Sequence, residues 1–72
     1  MFTAILEKDG DLYVAHCPEL DIASQGPTVE SALSNLKEAV ELFFESADPS
    51  EIADRLHNEV YVTRFEANTA RG

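Results

Sequence analysis

The sequence has 72 residues, no tryptophan, and only one cysteine, one methionine, three glycines and three prolines. A single cysteine excludes an intramolecular disulfide framework and fits a reducing compartment. No apolar run is long enough for a transmembrane helix. The apolar N-terminal stretch stops before Glu7 and has no basic lead-in, so it does not match a secretion signal. We therefore expect a cytoplasmic protein without membrane attachment.

Basic residues are also scarce, with 5 Lys and Arg against 14 Asp and Glu and a net charge of −9. Nucleic-acid binding draws most of its affinity from cations that neutralise phosphates, so direct nucleic-acid binding is not expected. An acidic surface instead favours encounter with a basic protein. The plainer interpretation, which charge alone favours, is that surplus acid keeps a small domain soluble.

The sequence also lacks the residue patterns that are typical of catalytic and metal-binding sites. His16 and His57 have no cysteine or histidine at metal-ligand spacing. His16 and Cys17 are neighbours on a predicted strand, so their side chains point to opposite faces and cannot form a catalytic pair. A two-metal nuclease needs several converging carboxylates, and the first strand offers only Glu7. We predict no catalytic residues, no cofactor and no metal, and hence no enzyme.

Two strands joined by a tight turn are predicted at the N-terminus, over residues 2–8 and 12–17. The dipeptide Asp9-Gly10 is the expected hairpin loop, because glycine accepts positive φ. This loop would place Leu6 opposite Tyr13. The side chains then assigned to the core face are Phe2, Ala4, Leu6, Tyr13, Ala15 and Cys17. The opposite face is partly apolar.

A third strand is predicted over residues 21–25, followed by a long amphipathic helix with Thr28 as its N-cap. The helix ends at Asp48-Pro49. Its apolar stripe consists of Val29, Ala32, Leu33, Leu36, Ala39, Val40, Phe43 and Phe44. Leu42 lies off this stripe, either as an isolated exposed leucine or as a contact to a partner subunit.

The chain is predicted to continue with a short helix over 51–57 capped by Ser50, and with a strand over 60–65 rich in β-branched and aromatic residues. The fold class is then α+β in the order β-β-β-α-β, with an antiparallel three-stranded start. A right-handed crossover would lay the fourth strand parallel to the first. Residues 1–66 form the single domain and 67–72 a flexible tail. One helix covers one sheet face, so the other face favours a homodimer or higher homo-oligomer.

Four short motifs stand in a specific order along the chain. They are Tyr13-x-Ala15, Pro18-Glu19-Leu20, Gly26-Pro27-Thr28 and Ala32-x-x-x-Leu36-Lys37-Glu38-Ala39. In this order the chain resembles the HicB antitoxin family in its short, single-domain form, over roughly residues 2–66. The resemblance implies a reduced RNase H-like fold. Residues 21–23 depart from it, because the family often has Pro-Gly-Cys after the Pro-Glu-Leu turn.

The resemblance implies an antitoxin that neutralises a small basic HicA-like ribonuclease, which cleaves mRNA, by covering its active site. Acidic side chains would occupy the cationic surface that otherwise holds RNA phosphates. The candidate contacts are Asp9, Asp11, Glu19 and Asp21, with solvated turn acids as the ordinary alternative. Longer members carry a DNA-binding domain after the fourth strand, which we do not expect in a chain that ends at Gly72. The alternative function is a homo-oligomeric interaction module without a toxin partner.

Overall fold

A computed structural model describes residues 1–70. It contains one antiparallel sheet of three strands, which lie side by side in chain order, and two helices that follow the sheet in the chain. The elements in chain order are β1 (Ile5–Asp9), β2 (Leu12–Cys17), β3 (Ile22–Gly26), α1 (Val29–Ser46) and α2 (Pro49–Arg55). The predicted α+β class, the three-stranded start and the long helix are confirmed.

The β1–β2 hairpin forms, but its register differs from the predicted one. Asp9 pairs with Leu12 and Leu6 pairs with Ala15, so the predicted pairing of Leu6 with Tyr13 is wrong by two residues. The loop is Gly10-Asp11, and Gly10 takes the positive φ of 62° at its first position. Because side chains alternate with a period of two, this shift leaves the predicted core face unchanged.

The hydrophobic core lies between the sheet and α1, which packs mainly over β3 and secondarily over β2. Leu20 belongs to this core, although it comes from the β2–β3 turn and not from a strand or helix. The buried side chains are Ala15, Cys17, Leu20, Ala32, Leu36 and Val40. Partly buried side chains extend the core at its margins, namely Ala4, Leu6, Tyr13, Ile22, Phe43 and Leu56.

The start of α1 is fixed by a reciprocal cap. The Thr28 hydroxyl accepts from the Ser31 amide at 3.0 Å, and the Ser31 hydroxyl accepts from the Thr28 amide at 3.0 Å. Gly26 precedes this cap and lies tightly against it. A Cβ at Gly26 would come within 2.8 Å of the Ala32 backbone nitrogen and would also collide with the Ser31 hydroxyl. Thr28 is confirmed as the N-cap, and Gly26 must be glycine because the first turn of α1 lies too close to leave room for a side chain.

The short helix α2 begins earlier than predicted, at Pro49. Proline suits the first helical position because its missing N–H would have no partner there. Asp48 is the N-cap residue, and its amide donates to the Glu51 carboxylate at 3.3 Å. The predicted span 51–57 with Ser50 as cap is therefore wrong. The helix ends at Arg55, with Leu56 as its C-cap.

The C-terminal segment over residues 57–70 contains no helix or strand. The predicted strand over 60–65 is absent there, and its aromatic side chains lie in solvent, with Tyr61 85% and Phe65 86% exposed. A strand requires a hydrogen-bonding neighbour, and this segment has none within residues 1–70. Of the tail predicted over 67–72, Arg71 and Gly72 lie outside the described residues.

Candidate functional site

The four acidic residues predicted to contact a partner fall into two groups. Asp9 and Asp11 flank Gly10 at the β1–β2 hairpin, whereas Glu19 and Asp21 lie in the β2–β3 turn. The two groups stand at opposite ends of β2, which its six residues make about 20 Å long. The structure therefore brings together the members of each group and keeps the groups apart.

Glu19 turns its carboxylate inward to the N-terminal segment. The Thr3 amide donates to both carboxylate oxygens, at 3.0 and 3.1 Å, and the Thr3 hydroxyl donates to Oε2 at 2.6 Å. The hydrogen bond from the Thr3 side chain is the main cause that lowers the pKa of Glu19 from 4.5 to about 2. Glu19 is therefore a clamp that holds residues preceding β1 against the turn, a role the sequence did not reveal.

Cys17 lies beside this clamp and is buried. Its thiol donates to Oε1 of Glu19 at 3.4 Å. Burial raises the pKa of the Cys17 thiol, and the neighbouring Glu19 carboxylate raises it further. A protonated, enclosed thiol behaves as a small apolar side chain, as the sequence predicted.

Asp21 adopts a left-handed backbone conformation with φ of 54° and points its side chain into solvent. His16 Nε2 lies 3.0 Å from Oδ1 of Asp21, and this contact lowers the pKa of Asp21. Arg55 donates to the Asp21 carbonyl at 3.0 Å and to the Leu20 carbonyl at 3.1 Å. Arg55 thus joins the end of α2 to the β2–β3 turn. The sequence places Arg55 in the last turn of a helix, where a basic side chain can cap the helix, but it does not show which backbone carbonyls Arg55 contacts.

The remaining acidic side chains form an uncompensated surface. Within residues 1–70, the one close contact between a basic side chain and a carboxylate is that of His16 with Asp21, so no described lysine or arginine neutralises a carboxylate at close range. The exposed acids of α1 are Glu30, Glu38, Glu41 and Glu45. In that same range, no three His, Cys, Asp or Glu side chains converge as a metal site would require.

An apolar groove runs between the residues preceding β1 and one flank of α1, with a volume of about 1100 Å³. Phe2, Leu33 and Phe44 line its walls, and Val40 and Cys17 contribute from the core. Leu33 is 46% and Phe44 36% exposed, although both belong to the predicted apolar stripe of the helix. The stripe is therefore wider than the surface that the sheet covers. Phe2 and Phe44 approach to 5.8 Å between ring centroids across the groove.

The sheet face away from α1 is also uncovered in the described chain. Ile5 and Val14 are half-buried there by their neighbours, and Leu12 is exposed. This agrees with the partly apolar second face that the sequence predicted. No described helix is both long enough and apolar enough to cross a membrane.

The comparisons with known proteins give a family. The chain is 41% identical over 54 residues to a UPF0150 protein of Helicobacter pylori strain J99, a match covering 74% of this chain and 75% of that protein. It is 49% identical over 47 residues to a UPF0150 protein of Synechocystis, a match covering 62% of this chain and 60% of that protein. No family model and no solved structure matches the chain. The chain therefore belongs to the UPF0150 family.

Proposed function

We propose that this protein is an antitoxin of the HicB type, which binds a small basic HicA-like ribonuclease and blocks its active site. The observation that carries the proposal is the surface charge. A net charge of −9 is spread over 72 residues, and within residues 1–70 no lysine or arginine pairs with a carboxylate. Such a surface is complementary to a protein whose own work is to hold RNA phosphates.

The order of the motifs supports the same proposal. The Pro18–Leu20 turn joins β2 to β3, and the Gly26–Thr28 segment leads from β3 into α1, an order that supports the HicB resemblance. Each has a structural role here, because Leu20 fills the core, Gly26 permits close approach and Thr28 caps the helix. These motifs support a shared architecture, and the charge supports the shared partner.

The hairpin acids are the better contact residues in this proposal. Asp9 and Asp11 are exposed beside the turn and have no ion pair in the described chain. Glu19, in contrast, already accepts three hydrogen bonds from Thr3. Engaging a toxin arginine through Glu19 would require giving up the clamp, whereas the hairpin acids lose only water. An acidic hairpin can then enter the cationic active-site surface of the ribonuclease.

The test is co-expression with any small basic ribonuclease encoded beside the gene. The two proteins should form a stable complex that abolishes RNA cleavage, and the affinity should fall as salt rises, because exposed opposite charges are screened. Elution of the two proteins as separate species at low salt would contradict the proposal.

A matched pair of variants sharpens this test. Asp9→Asn with Asp11→Asn should weaken the complex about tenfold, because two contact charges are removed. Asp54→Asn with Glu59→Gln removes the same formal charge from exposed positions after α1 and should have a much smaller effect. Equal weakening by both pairs would mean that net charge, and not the hairpin, determines the affinity.

The second candidate function is a homo-oligomeric interaction module without a toxin. The exposed apolar side chains of Tyr61, Val62 and Phe65 favour it, since an apolar surface of this kind usually meets another protein. It predicts self-association in the absence of any ribonuclease and no inhibition of RNA cleavage.

A further inference from the structure

The segment over residues 60–65 has the composition of a strand but lies alone. Its sequence is Val-Tyr-Val-Thr-Arg-Phe, and every residue except Arg64 is β-branched or aromatic, which favours a pleated, half-buried surface. Tyr61 and Phe65, four residues apart, share one face of such a strand. Both are more than four-fifths exposed, and Val62 is 59% exposed. This apolar surface is what an inserted strand would bury.

The sheet offers a matching place at its β1 edge. Within residues 1–70, β1 has β2 as its one neighbour, so its outer backbone groups are open to a further strand. The groove lies between the residues preceding β1 and α1, so it begins beside the N-terminal end of β1, and its walls carry Phe2, Leu33 and Phe44. A strand that paired with β1 and continued past its N-terminal end would bring alternate side chains to this groove.

The segment leaves the packed unit near this site but does not enter it. The His57 amide donates to the Glu19 carbonyl at 2.7 Å, and His57 shares a cleft with Met1 and Phe2. From there the segment projects outward. The radius of gyration is 14.7 Å, against about 11 Å for a compact chain of this length. The described lining of the groove comes wholly from residues before Ser46.

We propose that residues 60–65 of one copy add to β1 of a second copy, reciprocally, so that each groove is filled by the tail of the other chain. Tyr61 and Phe65 enter the groove against Phe2 and Phe44. The exchange is symmetric, since each chain gives one strand and receives one, which closes a dimer. It goes beyond the proposed toxin binding and does not depend on it.

The buried area is adequate for a stable dimer. Each buried aromatic side chain removes about 150–250 Å² from water. Four such side chains per dimer, together with the groove walls they cover, exceed the about 1,200 Å² that stable interfaces bury. The two chains repel each other, at a net charge of −9 apiece.

Sedimentation equilibrium of the full chain tests the assembly. The expected mass is twice 7.9 kDa, with dimerisation strengthened by salt because screening reduces the repulsion between two acidic chains. This salt dependence is opposite to that expected for the toxin complex, so the two proposals fail separately. A monomer at all salt concentrations overturns the strand exchange and leaves toxin binding unaffected.

Variants locate the interface. Tyr61→Ser with Phe65→Ser should weaken dimerisation at least about tenfold, because both anchors are lost, and should leave the circular dichroism of the monomer unchanged. Leu42→Ser is the matched control, because Leu42 is likewise an exposed apolar residue but does not line the groove. Loss of the dimer in Leu42→Ser, with retention in the tail variant, would assign the interface to α1 and overturn the proposal.

Isotope-filtered NMR on a mixture of labelled and unlabelled chains distinguishes exchange from closure within one chain. We expect contacts between the Tyr61 ring of one chain and the Phe44 ring of the other. Contacts found only within one chain would show that the tail completes its own sheet, and would overturn the exchange. Absence of any contact from Tyr61 to the groove would overturn it equally.

Discussion

The first 56 residues and the 14 that follow contrast in how their apolar side chains are used. In the first region, Leu20, Leu36 and Val40 are enclosed between sheet and helix. In the second, Tyr61 and Phe65 are almost fully solvated. Both regions contain residues that favour regular structure. The difference is that each strand of the first region pairs with another strand, and that α1 packs over the sheet.

This contrast shows that strand propensity acts only through a partner. The segment over 60–65 has more β-branched and aromatic residues than β3, whose sequence is Ile-Ala-Ser-Gln-Gly. Yet β3 is a strand, because β2 pairs with it on one side and α1 packs over it. Strand propensity measures how well a side chain fits a half-buried pleated surface. Where no such surface is present, the propensity does not produce a strand.

The strongest test of the contrast is a cavity in the first region. Leu36→Ala removes an enclosed side chain and should destabilise the fold by about 2–5 kcal/mol. This is on the order of the whole free energy of unfolding expected for a domain of this size, about 4–10 kcal/mol. Urea titration followed by circular dichroism should show either a much lower midpoint or a chain unfolded without denaturant.

The matched change on the same helix is Leu42→Ala, because Leu42 is 55% exposed. It should change the free energy of unfolding by no more than about 0.5 kcal/mol. A similar cost for Leu36→Ala and Leu42→Ala would mean that the exposed side of α1 is covered in solution, and the contrast between the regions would then need revision.

Much of the first region was predictable from local sequence. The 3.6-residue spacing of Ala32, Leu36 and Val40 predicted the buried face of α1, and Thr28 predicted its start. The predicted core face of β1 and β2 is confirmed except at Phe2, which precedes β1 and is 47% exposed, whereas the predicted register was wrong. Hydrophobic alternation determines the face, whereas the loop residue with positive φ determines the register, and Asp9-Gly10 allowed two solutions.

The rest depended on tertiary contacts that no local pattern encodes. Glu19 reads as a solvated turn acid, yet Thr3, sixteen residues away, makes it a clamp. Arg55 reads as a helix-end cation, and its partners are carbonyls 34 and 35 residues earlier. The proposed strand over 60–65 depends on an edge that the sequence does not mark. The sequence identified the candidate acidic residues, but it did not show which of them already have hydrogen-bond partners within the chain.

Two glycines in the first region are needed for different reasons, Gly26 because α1 lies close to it and Gly10 because its backbone has a positive φ. Gly26→Ala should cost about 1–3 kcal/mol, because the new Cβ meets the Ala32 nitrogen and the capping hydroxyl of Ser31. Gly10→Ala meets no atom but must hold φ at 62°, which costs about 1–2 kcal/mol. Thermal unfolding of both variants measures these losses of stability. Crystal or NMR structures should show α1 displaced from β3 only in Gly26→Ala.

The cap of α1 gives a smaller effect. Thr28→Ala removes the hydroxyl that accepts from the Ser31 amide and should cost about 1 kcal/mol. Thr28→Ser retains the acceptor and should cost much less, so the pair isolates the hydrogen bond from side-chain packing. Equal losses for both substitutions in denaturant unfolding would assign the effect to the lost methyl group. Thr63→Ala is the corresponding change in the tail and should leave the stability of the monomer unaltered.

The smallest effect concerns the junction between the two regions, where Glu19 holds Thr3 through its carboxylate and His57 through its carbonyl. The pKa of Glu19 is lowered from 4.5 to about 2, so its contribution to stability is complete above about pH 4.5 and is lost as the pH falls towards 2. Glu19→Gln removes the charge and should cost about 1 kcal/mol or less at pH 7, because solvent weakens hydrogen bonds to a partly exposed carboxylate.

The difference in the free energy of unfolding between the wild type and Glu19→Gln should then shrink between pH 4.5 and pH 2. Asp21→Asn is the control, since the pKa of Asp21 is also lowered but by His16, and it should leave the Thr3 amide resonance in place. A Thr3 amide whose resonance does not move as Glu19 is protonated would show that the clamp between Thr3 and Glu19 does not form in solution.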